Sequence, residues 1–376
     1  MVSVLSRAQD GMLAKWWWSV DRWGLAGIIF LMVLGLIMGL AASPSIAQQK
    51  GLPEYFFFQR QLIFAFLGLF VMLVCSLLSP VGVRRLGYAL LGIFGLALIL
   101  TLLTGSEIKG ARRWLNLGFL SLQPSEFIKP ALIIISADLM SRTQKVWGRV
   151  DPTLVSLMGL VACALLLMMQ PDIGQMVLIS SAWVGLLFLS GVRLVWAGLM
   201  LPVGGLVISF AYLMFDHVQK RIDAFLDPVH AGNFQVNRAL DAAAHGGWFG
   251  VGPGEGILKL SLPDAHTDFI FAVALEEFGF LACMLIVGSF ALIVLRSVYR
   301  ASSTQGVFTQ LAVGGLSLLI GLQAFLNMAV NLGMLPATGM TLPFISYGGT
   351  SLLASAISVG LLLALTRRRP GFVEPI

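Results

Sequence analysis

Charge is what this sequence lacks. Only 11% of its 376 residues are Asp, Glu, Lys or Arg, against roughly 25% in a soluble globular protein. Hydrophobic residues make up 58% and mean hydropathy is +0.90. A soluble fold cannot hide that much apolar surface, so the class is polytopic membrane protein. Cysteine is scarce as well. Cys75, Cys163 and Cys283 sit singly inside apolar runs, with no metal-ligand spacing and no disulfide framework; they read as small packing residues. The four histidines, His217, His230, His245 and His266, fit no zinc motif. No repeat of fixed period and no inverted duplication of the hydropathy pattern is visible, which argues against a secondary-transporter architecture. No stretch reads as an appended soluble catalytic domain, so chemistry must lie in the bundle and its outside loops. The net charge of +6 does not point to nucleic acid, because cytoplasmic loops make membrane proteins basic.

What is present is a series of apolar stretches of transmembrane length. Ten are expected, at about 24–43, 61–79, 86–104, 127–141, 153–169, 173–190, 194–214, 269–295, 308–330 and 350–366. The fold class is therefore all-α, one membrane domain over residues 1–376 with a long extracytoplasmic loop, 215–267, between spans seven and eight. Residues 24–47 could pass for a signal peptide, but the run is long and nine more follow, so an uncleaved first helix is the better reading. Of the 24 Lys and Arg residues, fourteen fall on one side and ten on the other. The positive-inside rule places the fourteen, both termini, the 1–23 segment and the 367–376 tail in the cytoplasm. The ten outside cations are Lys50, Arg60, Lys109, Arg112, Arg113, Lys129, Lys220, Arg221, Arg238 and Lys259. Eight of them crowd into 105–130 and 215–266, as though they had a task other than topology. An anionic headgroup or phosphate is the natural ligand.

Five polar constellations interrupt the apolar pattern. In the first, Arg112 and Arg113 sit beside Trp114; they either grip phosphate bidentately or anchor a helix end. Gln123-Pro124-Ser125-Glu126 then opens the fourth span with helix-start signals, including a Ser cap. Lys129 falls in that helix's first turn and either snorkels outward or points inward to a buried carboxylate; the inward reading is favoured. The second, Gln170-Pro171-Asp172-Ile173-Gly174-Gln175, suits a tight hairpin turn. The third is the 215–266 loop, with a helix over Phe234–His245 stopped by Gly246. The glycine-rich run that follows matches no nucleotide-binding loop and reads as backbone that approaches helix ends or ligand. The fourth is Pro263-Asp264-Ala265-His266-Thr267-Asp268, which ends where a long apolar run begins. Thr267 or Asp268 could cap the helix that follows. A carboxylate at a helix mouth is also a functional-site hypothesis by default. Glu276 and Glu277 further along are expected to be structural. The fifth, 331–351, holds two prolines and four glycines and reads as a re-entrant or outside loop lining a site.

Lys-Gly-Ala-Arg-Arg-Trp-Leu, Gln-Pro-Ser-Glu-Phe-Ile-Lys, Gln-Pro-Asp-Ile-Gly, Pro-Asp-Ala-His-Thr-Asp-Phe-Ile-Phe-Ala with Glu-Glu-Phe-Gly, and Leu-Pro-Phe-Ile-Ser-Tyr-Gly-Gly occur in this order along the chain. Together they resemble the SEDS family (shape, elongation, division and sporulation proteins) over essentially the whole length. Pro263–His266 and Thr341–Pro343 look more like the division-type than the elongation-type members. The resemblance implies ten membrane helices and a peptidoglycan glycosyltransferase that polymerises lipid II, with Asp268 at the position of the family's proposed catalytic aspartate. Such a transfer needs a base for the attacking hydroxyl and cations for the departing polyprenyl pyrophosphate.

The expected catalytic groups are Asp268 and, holding it ionised, Lys129. The expected substrate contacts are Arg112, Arg113, Trp114, Gln123, Ser125, Glu126, Lys220, Arg221, Arg238, His266, Thr267, Ser346 and Tyr347. No metal ligand set is assigned, although a divalent cation such as Mg2+ at Asp268 stays open. The implied partners are lipid II and its polyprenyl lipid, a class B penicillin-binding protein (an FtsI-like transpeptidase) and other divisome membrane proteins, at the septum of the bacterial inner membrane. The alternatives are a lipid II flippase, an elongation-type polymerase, or a non-catalytic scaffold that recruits a partner enzyme.

Overall fold

The computed structural model describes residues 11–108, 111–116, 118, 121–142, 146, 150–192, 194–227, 234–304 and 306–367. Lys109, His230, both extreme termini and the cations Arg7, Lys145, Arg149, Arg193, Arg368 and Arg369 lie outside the described residues. A short α1 (Met12–Ser19) leads into α2 (Arg22–Gln49), α3 (Phe56–Ser76) and α4 (Pro80–Thr104). Three short strands follow, β1 (Ser106–Ile108), β2 (Ala111–Asn116) and β3 (Ser121–Leu122). Next come α5 (Pro124–Met140), α6 (Pro152–Met169), α7 (Ile173–Leu189), α8 (Leu194–Met214), α9 (Asp216–Leu226) and α10 (Phe234–Gly246). The chain closes with α11 (Ile270–Ser302), α12 (Val307–Asn331) and α13 (Gly349–Leu365).

Each of the ten expected spans falls on a helix, α2–α8 and α11–α13. Among the described residues six of these are long and apolar enough to cross a bilayer: α2, α3, α4, α6, α11 and α12. Helices α7, α13 and the second half of α8 are shorter apolar helices. Proline recurs at helix starts because its missing N–H costs nothing there. At α4 the Ser79 hydroxyl caps by accepting from the Gly82 N–H at 3.1 Å. At α6 the Asp151 carboxylate accepts from the Thr153 N–H at 2.7 Å. The expected cap of α5 differs: its N-cap is Gln123, Pro124 follows, and Ser125 Oγ is buried with no hydrogen-bond partner.

Burial sorts the helices. Almost all of α5 is buried, as is most of α12 and α13, so these form the centre. Helices α3, α4 and α6 carry exposed Phe66, Phe70, Leu96, Leu103 and Leu165, as lipid-facing helices must. Paired arginines fix the end that the cation count assigns to the cytoplasm. Asp138 meets Arg84 at 3.1 Å, Arg142 at 2.5 Å and the Tyr88 hydroxyl at 2.9 Å. Asp21 meets Arg296 at 2.7 Å and Arg300 at 3.3 Å.

Two features depart from expectation. The first is the small antiparallel sheet, β1–β2–β3, in a fold expected to be purely helical. The second is a break in α11, whose backbone leaves helical geometry at Gly279, φ 77° and ψ 177°. Positive φ favours glycine, and the freed groups need partners. The glycine-rich segment supplies them. Gly247 and Trp248 carbonyls accept from the Phe280 and Leu281 N–H groups at 3.0 and 3.2 Å. The Val251 and Gly252 N–H groups donate to the Glu276 and Glu277 carbonyls at 2.9 and 3.0 Å. The carboxylates of those two residues fasten the rest. Glu276 Oε1 accepts from the Ile257 and Leu258 N–H groups at 2.8 Å each, and Oε2 from Lys259 N–H at 3.1 Å. Glu277 pairs with the Lys259 ammonium and accepts from Gly254 N–H at 3.0 Å. Both acids are structural, as expected. The glycine run was expected to approach helix ends or ligand; it approaches a helix, but at a break inside a span.

Candidate active site

Asp268 lies in a run of turns that ends at Phe269. Asp264, at φ 56°, accepts from the N–H groups of Thr267 at 3.0 Å and Phe269 at 3.3 Å through its carbonyl. The N-cap of α11 is Phe269 with no side-chain cap, so neither Thr267 nor Asp268 caps the helix. Asn331 of α12 does that work, with Oδ1 accepting from Ala272 N–H at 3.0 Å. Its Nδ2 and that of Asn327 each donate to the Asp268 carbonyl at 2.9 Å. Asn327 Nδ2 also donates to the Met340 carbonyl at 2.7 Å. The backbone of Asp268 is therefore bolted to a central helix, while its side chain stays half-buried with Oδ2 beside Gly339.

The non-helical loop 332–348 closes over this segment, as the fifth constellation led us to expect. Ser346 Oγ donates to the Thr267 carbonyl at 2.6 Å and accepts from Leu342 N–H at 2.8 Å. The Tyr347 N–H donates to the His266 carbonyl at 2.8 Å. The His266 and Tyr347 rings stack at 5.3 Å and 29°.

Two arginines from distant segments bring charge to the same place. Arg113, on β2, donates through Nε to the Gln170 carbonyl at 3.4 Å and through Nη2 to the Pro171 carbonyl. Its Nη1 lies 3.5 Å from Asp172 Oδ1, and Gln123 Nε2 donates to Asp172 Oδ2 at 3.3 Å. Burial pushes the Asp172 carboxyl above its ordinary value, and the Arg113 charge opposes that. Arg221, on α9, donates through Nη1 to the Ala337 carbonyl at 3.1 Å. Desolvation beside the loop lowers its pKa, Arg113 adds to that, and the Asp268 and Asp172 charges oppose it. Arg113, Arg221, Asp172 and Asp268 thus share one electrostatic neighbourhood at the end of the bundle opposite the Asp21–Arg296 pair.

Lys129 points into the bundle, but its partner is not Asp268. The ammonium pairs with Glu126 at 2.8 Å and donates to Gln323 Oε1 at 3.0 Å. A carboxylate one helical turn back is already in reach, and Gln175 Nε2 donates to the same Glu126 at 2.6 Å. Gln323 Nε2 continues the chain to the Thr341 carbonyl at 3.1 Å, so Lys129 reaches the loop over Asp268 through one amide. The other expected cations divide. Lys259 is used by Glu277. Arg238 faces Asp241 at 3.8 Å and the Phe234 ring at 5.3 Å, and no described contact links it to the Asp268 group. Arg112 and Lys220 are exposed, and Trp114 is half-buried on β2.

The sequence left Asp172 open between a turn residue and a functional one, without a site role, and Gln323, Asn327 and Asn331 were overlooked. The last three were legible in principle. They are spaced four apart on an apolar helix, so they form one polar stripe facing the bundle.

Comparison with known proteins decides the family. The model described as "Cell cycle protein", of the FtsW/RodA/SpoVE group, matches residues 22–370. The chain belongs to the SEDS family. A SEDS relative from Caulobacter vibrioides (strain NA1000 / CB15N), named probable peptidoglycan glycosyltransferase FtsW, is 42% identical over 371 residues, covering 97% of this chain and 94% of the relative. One of the same name from Coxiella burnetii (strain RSA 493 / Nine Mile phase I) is 39% identical, covering 93% and 96%. Among solved structures, a chain described under "structural coordination of polymerization and crosslinking by a peptidoglycan synthase complex" aligns with TM-score 0.72 at 28% identity, over 92% of this chain and 97% of that one. The rod shape determining protein RodA of Thermus thermophilus aligns with TM-score 0.69 at 27% identity, over 93% and 97%.

Proposed function

We propose that this SEDS protein is a division-type peptidoglycan glycosyltransferase that polymerises lipid II at the outer face of the bacterial cytoplasmic membrane, with both termini inside. The observation that carries this reading is one half-buried carboxylate, Asp268, with Oδ2 beside Gly339 on the same loop whose Ala337 carbonyl holds Arg221, while Arg113 is fixed on the neighbouring 170–172 turn. In the reaction, the 4-hydroxyl oxygen of one lipid-linked saccharide forms a bond to the anomeric carbon of another. The bond from that carbon to the pyrophosphate oxygen breaks, and its electron pair leaves with the polyprenyl pyrophosphate. The Asp268 carboxylate takes the hydroxyl proton. Arg113 and Arg221 meet the charge that develops on the leaving group. Because backbone carbonyls already hold both arginines in place, little reorganisation is needed during transfer. Lys129 acts at one remove, through Gln323 and the 332–348 loop.

A class B penicillin-binding protein as partner draws support from the structural neighbour, which belongs to a synthase complex that couples polymerization to crosslinking. The FtsW name of the relatives supports a septal location. The test is incubation of purified protein, with and without such a transpeptidase, with labelled lipid II. Muramidase-sensitive polymer is the expected product, and a parallel reaction with chelator tests whether Mg2+ takes part at Asp268. Folded protein that carries lipid II across a vesicle membrane but makes no polymer would overturn the transferase reading in favour of a flippase.

A further inference from the structure

Lys50 and Arg60 are the two outside cations that belong to neither crowded stretch, and the fold sets them over neighbouring rings, Phe57 and Phe56, which pack edge-on at 5.3 Å. Lys50 is the C-cap of α2 and Arg60 lies in the first turns of α3. The Lys50 ammonium stands 5.2 Å from the Phe57 ring centroid. The Arg60 guanidinium lies 5.5 Å over Phe56, and its charge acts on the Tyr347 hydroxyl. Phe57 packs edge-on to Tyr347 at 5.2 Å and tilted against His266 at 5.0 Å. This group borders Asp268 through the His266–Thr267 backbone. Arg113 and Arg221 border it through other elements, the 170–172 turn and the 337–339 loop. Asp268 therefore has two cation groups around it, built on different parts of the chain.

The transfer proposed above joins two substrates, each carrying a diphosphate. We propose that the Lys50–Arg60 group holds the diphosphate of the attacking lipid-linked saccharide, with the stacked His266 and Tyr347 rings as a face for its sugars. This rests on the glycosyl-transfer reading. The assignment of sides follows from charge. The departing diphosphate gains charge as the bond breaks, and fixed guanidiniums stabilise that gain best. Arg113 and Arg221 are fixed by backbone carbonyls. The attacking substrate's diphosphate keeps its charge throughout and needs only to be held. An exposed Lys50 and a half-exposed Arg60 are suited to that, and cations over aromatic rings beside apolar helices suit a phosphate at a lipid surface. The phosphate of an ordinary anionic phospholipid has the same chemistry, so the test must separate the two sources.

The full chain is reconstituted with its transpeptidase partner in phosphatidylcholine vesicles, with or without phosphatidylglycerol. A labelled lipid-linked disaccharide lacking the 4-hydroxyl acts only as donor, and unlabelled lipid II acts as acceptor. Labelled tetrasaccharide is read while each is varied in turn. Lys50→Gln and Arg60→Gln should each raise the acceptor KM by about tenfold, the worth of one charge-assisted bond, and spare the donor KM and kcat. Arg60→Lys should recover most of the loss. Arg113→Gln should do the reverse, lowering kcat and weakening the donor. Unchanged acceptor KM in folded variants, equal effects on both substrates, or an effect confined to phosphatidylglycerol vesicles would each overturn the assignment. Lys50 is exposed, so its variant keeps the test open if Arg60→Gln fails to fold. A wild-type protein inert toward both substrates would instead sink the transferase reading itself.

Discussion

Asp268 and Glu276 stand eight residues apart in sequence, one in the turn before α11 and one in its second turn, and the fold treats them in opposite ways. Glu276 is fully buried and its two oxygens accept three backbone N–H groups, with His245 Nδ1 a further 3.3 Å away. Both oxygens are committed to closing the glycine-rich segment onto the broken helix. Asp268 is held through its backbone carbonyl, by two asparagine amides, and its carboxylate stays half-exposed toward the 332–348 loop. A carboxylate saturated by N–H donors is a rivet. One whose main chain is fixed while its side chain faces a loop can exchange partners, as a base must.

The sharpest way to break this contrast is to neutralise both acids. Asp268→Asn should cut polymer formation by about 10²–10⁴-fold, the usual worth of a general base, with little change in yield or thermal midpoint. Polymer at close to the wild-type rate from the folded variant would remove Asp268 from the chemistry. Glu276→Ala should do the opposite. It leaves three N–H groups without an acceptor, one buried and two part-buried, at up to about 1–3 kcal/mol for the buried one and less for the others. Yield and thermal midpoint should collapse, while the turnover of whatever folds stays near normal. A stable but inactive Glu276→Ala would mean that the contrast is misdrawn.

Smaller changes sharpen it. Asn331→Asp keeps the Oδ1 acceptor for Ala272 N–H but replaces the donor that faces the Asp268 carbonyl. It should lower kcat by about tenfold, as a sub-ångström misplacement does, with KM nearly unchanged. A rise in KM alone would show that Asn331 serves substrate binding instead. Arg238→Ala should be quiet on both counts, within about 0.5 kcal/mol in stability and unaltered in lipid II transfer. A clear loss of transfer would restore Arg238 to the phosphate-binding set.

The spans were legible because a 20-residue apolar run has few other fates. The loop over 331–348 was legible because proline and glycine cannot continue a helix through it. Asp268 stood out as a carboxylate at the edge of an apolar run. Partner choice was not legible in the same way. Lys129 was matched to a distant carboxylate, Asp268, yet Glu126 was one turn away on the same helix. The break at Gly279 was hidden because both halves of α11 are apolar, and hydropathy does not register a backbone that turns. The sheet escaped notice because its strands are short, and one of them carries the Arg-Arg pair that drew attention as charge rather than as β structure.

The loop over Asp268 rests on two places where the helices beneath it lack a side chain. A β-carbon on Gly35 of α2 would run into the Phe344 carbonyl, and one on Gly174 of α7 would come within 2.7 Å of the Thr338 carbonyl. The seat of the loop is therefore cut to a tolerance finer than a methyl group, and it is cut from inside the bundle. A single carbon added there acts as a shim. It would lift the outer loop from beneath without touching a charged group, so lesions within the bundle would surface as altered chemistry outside it.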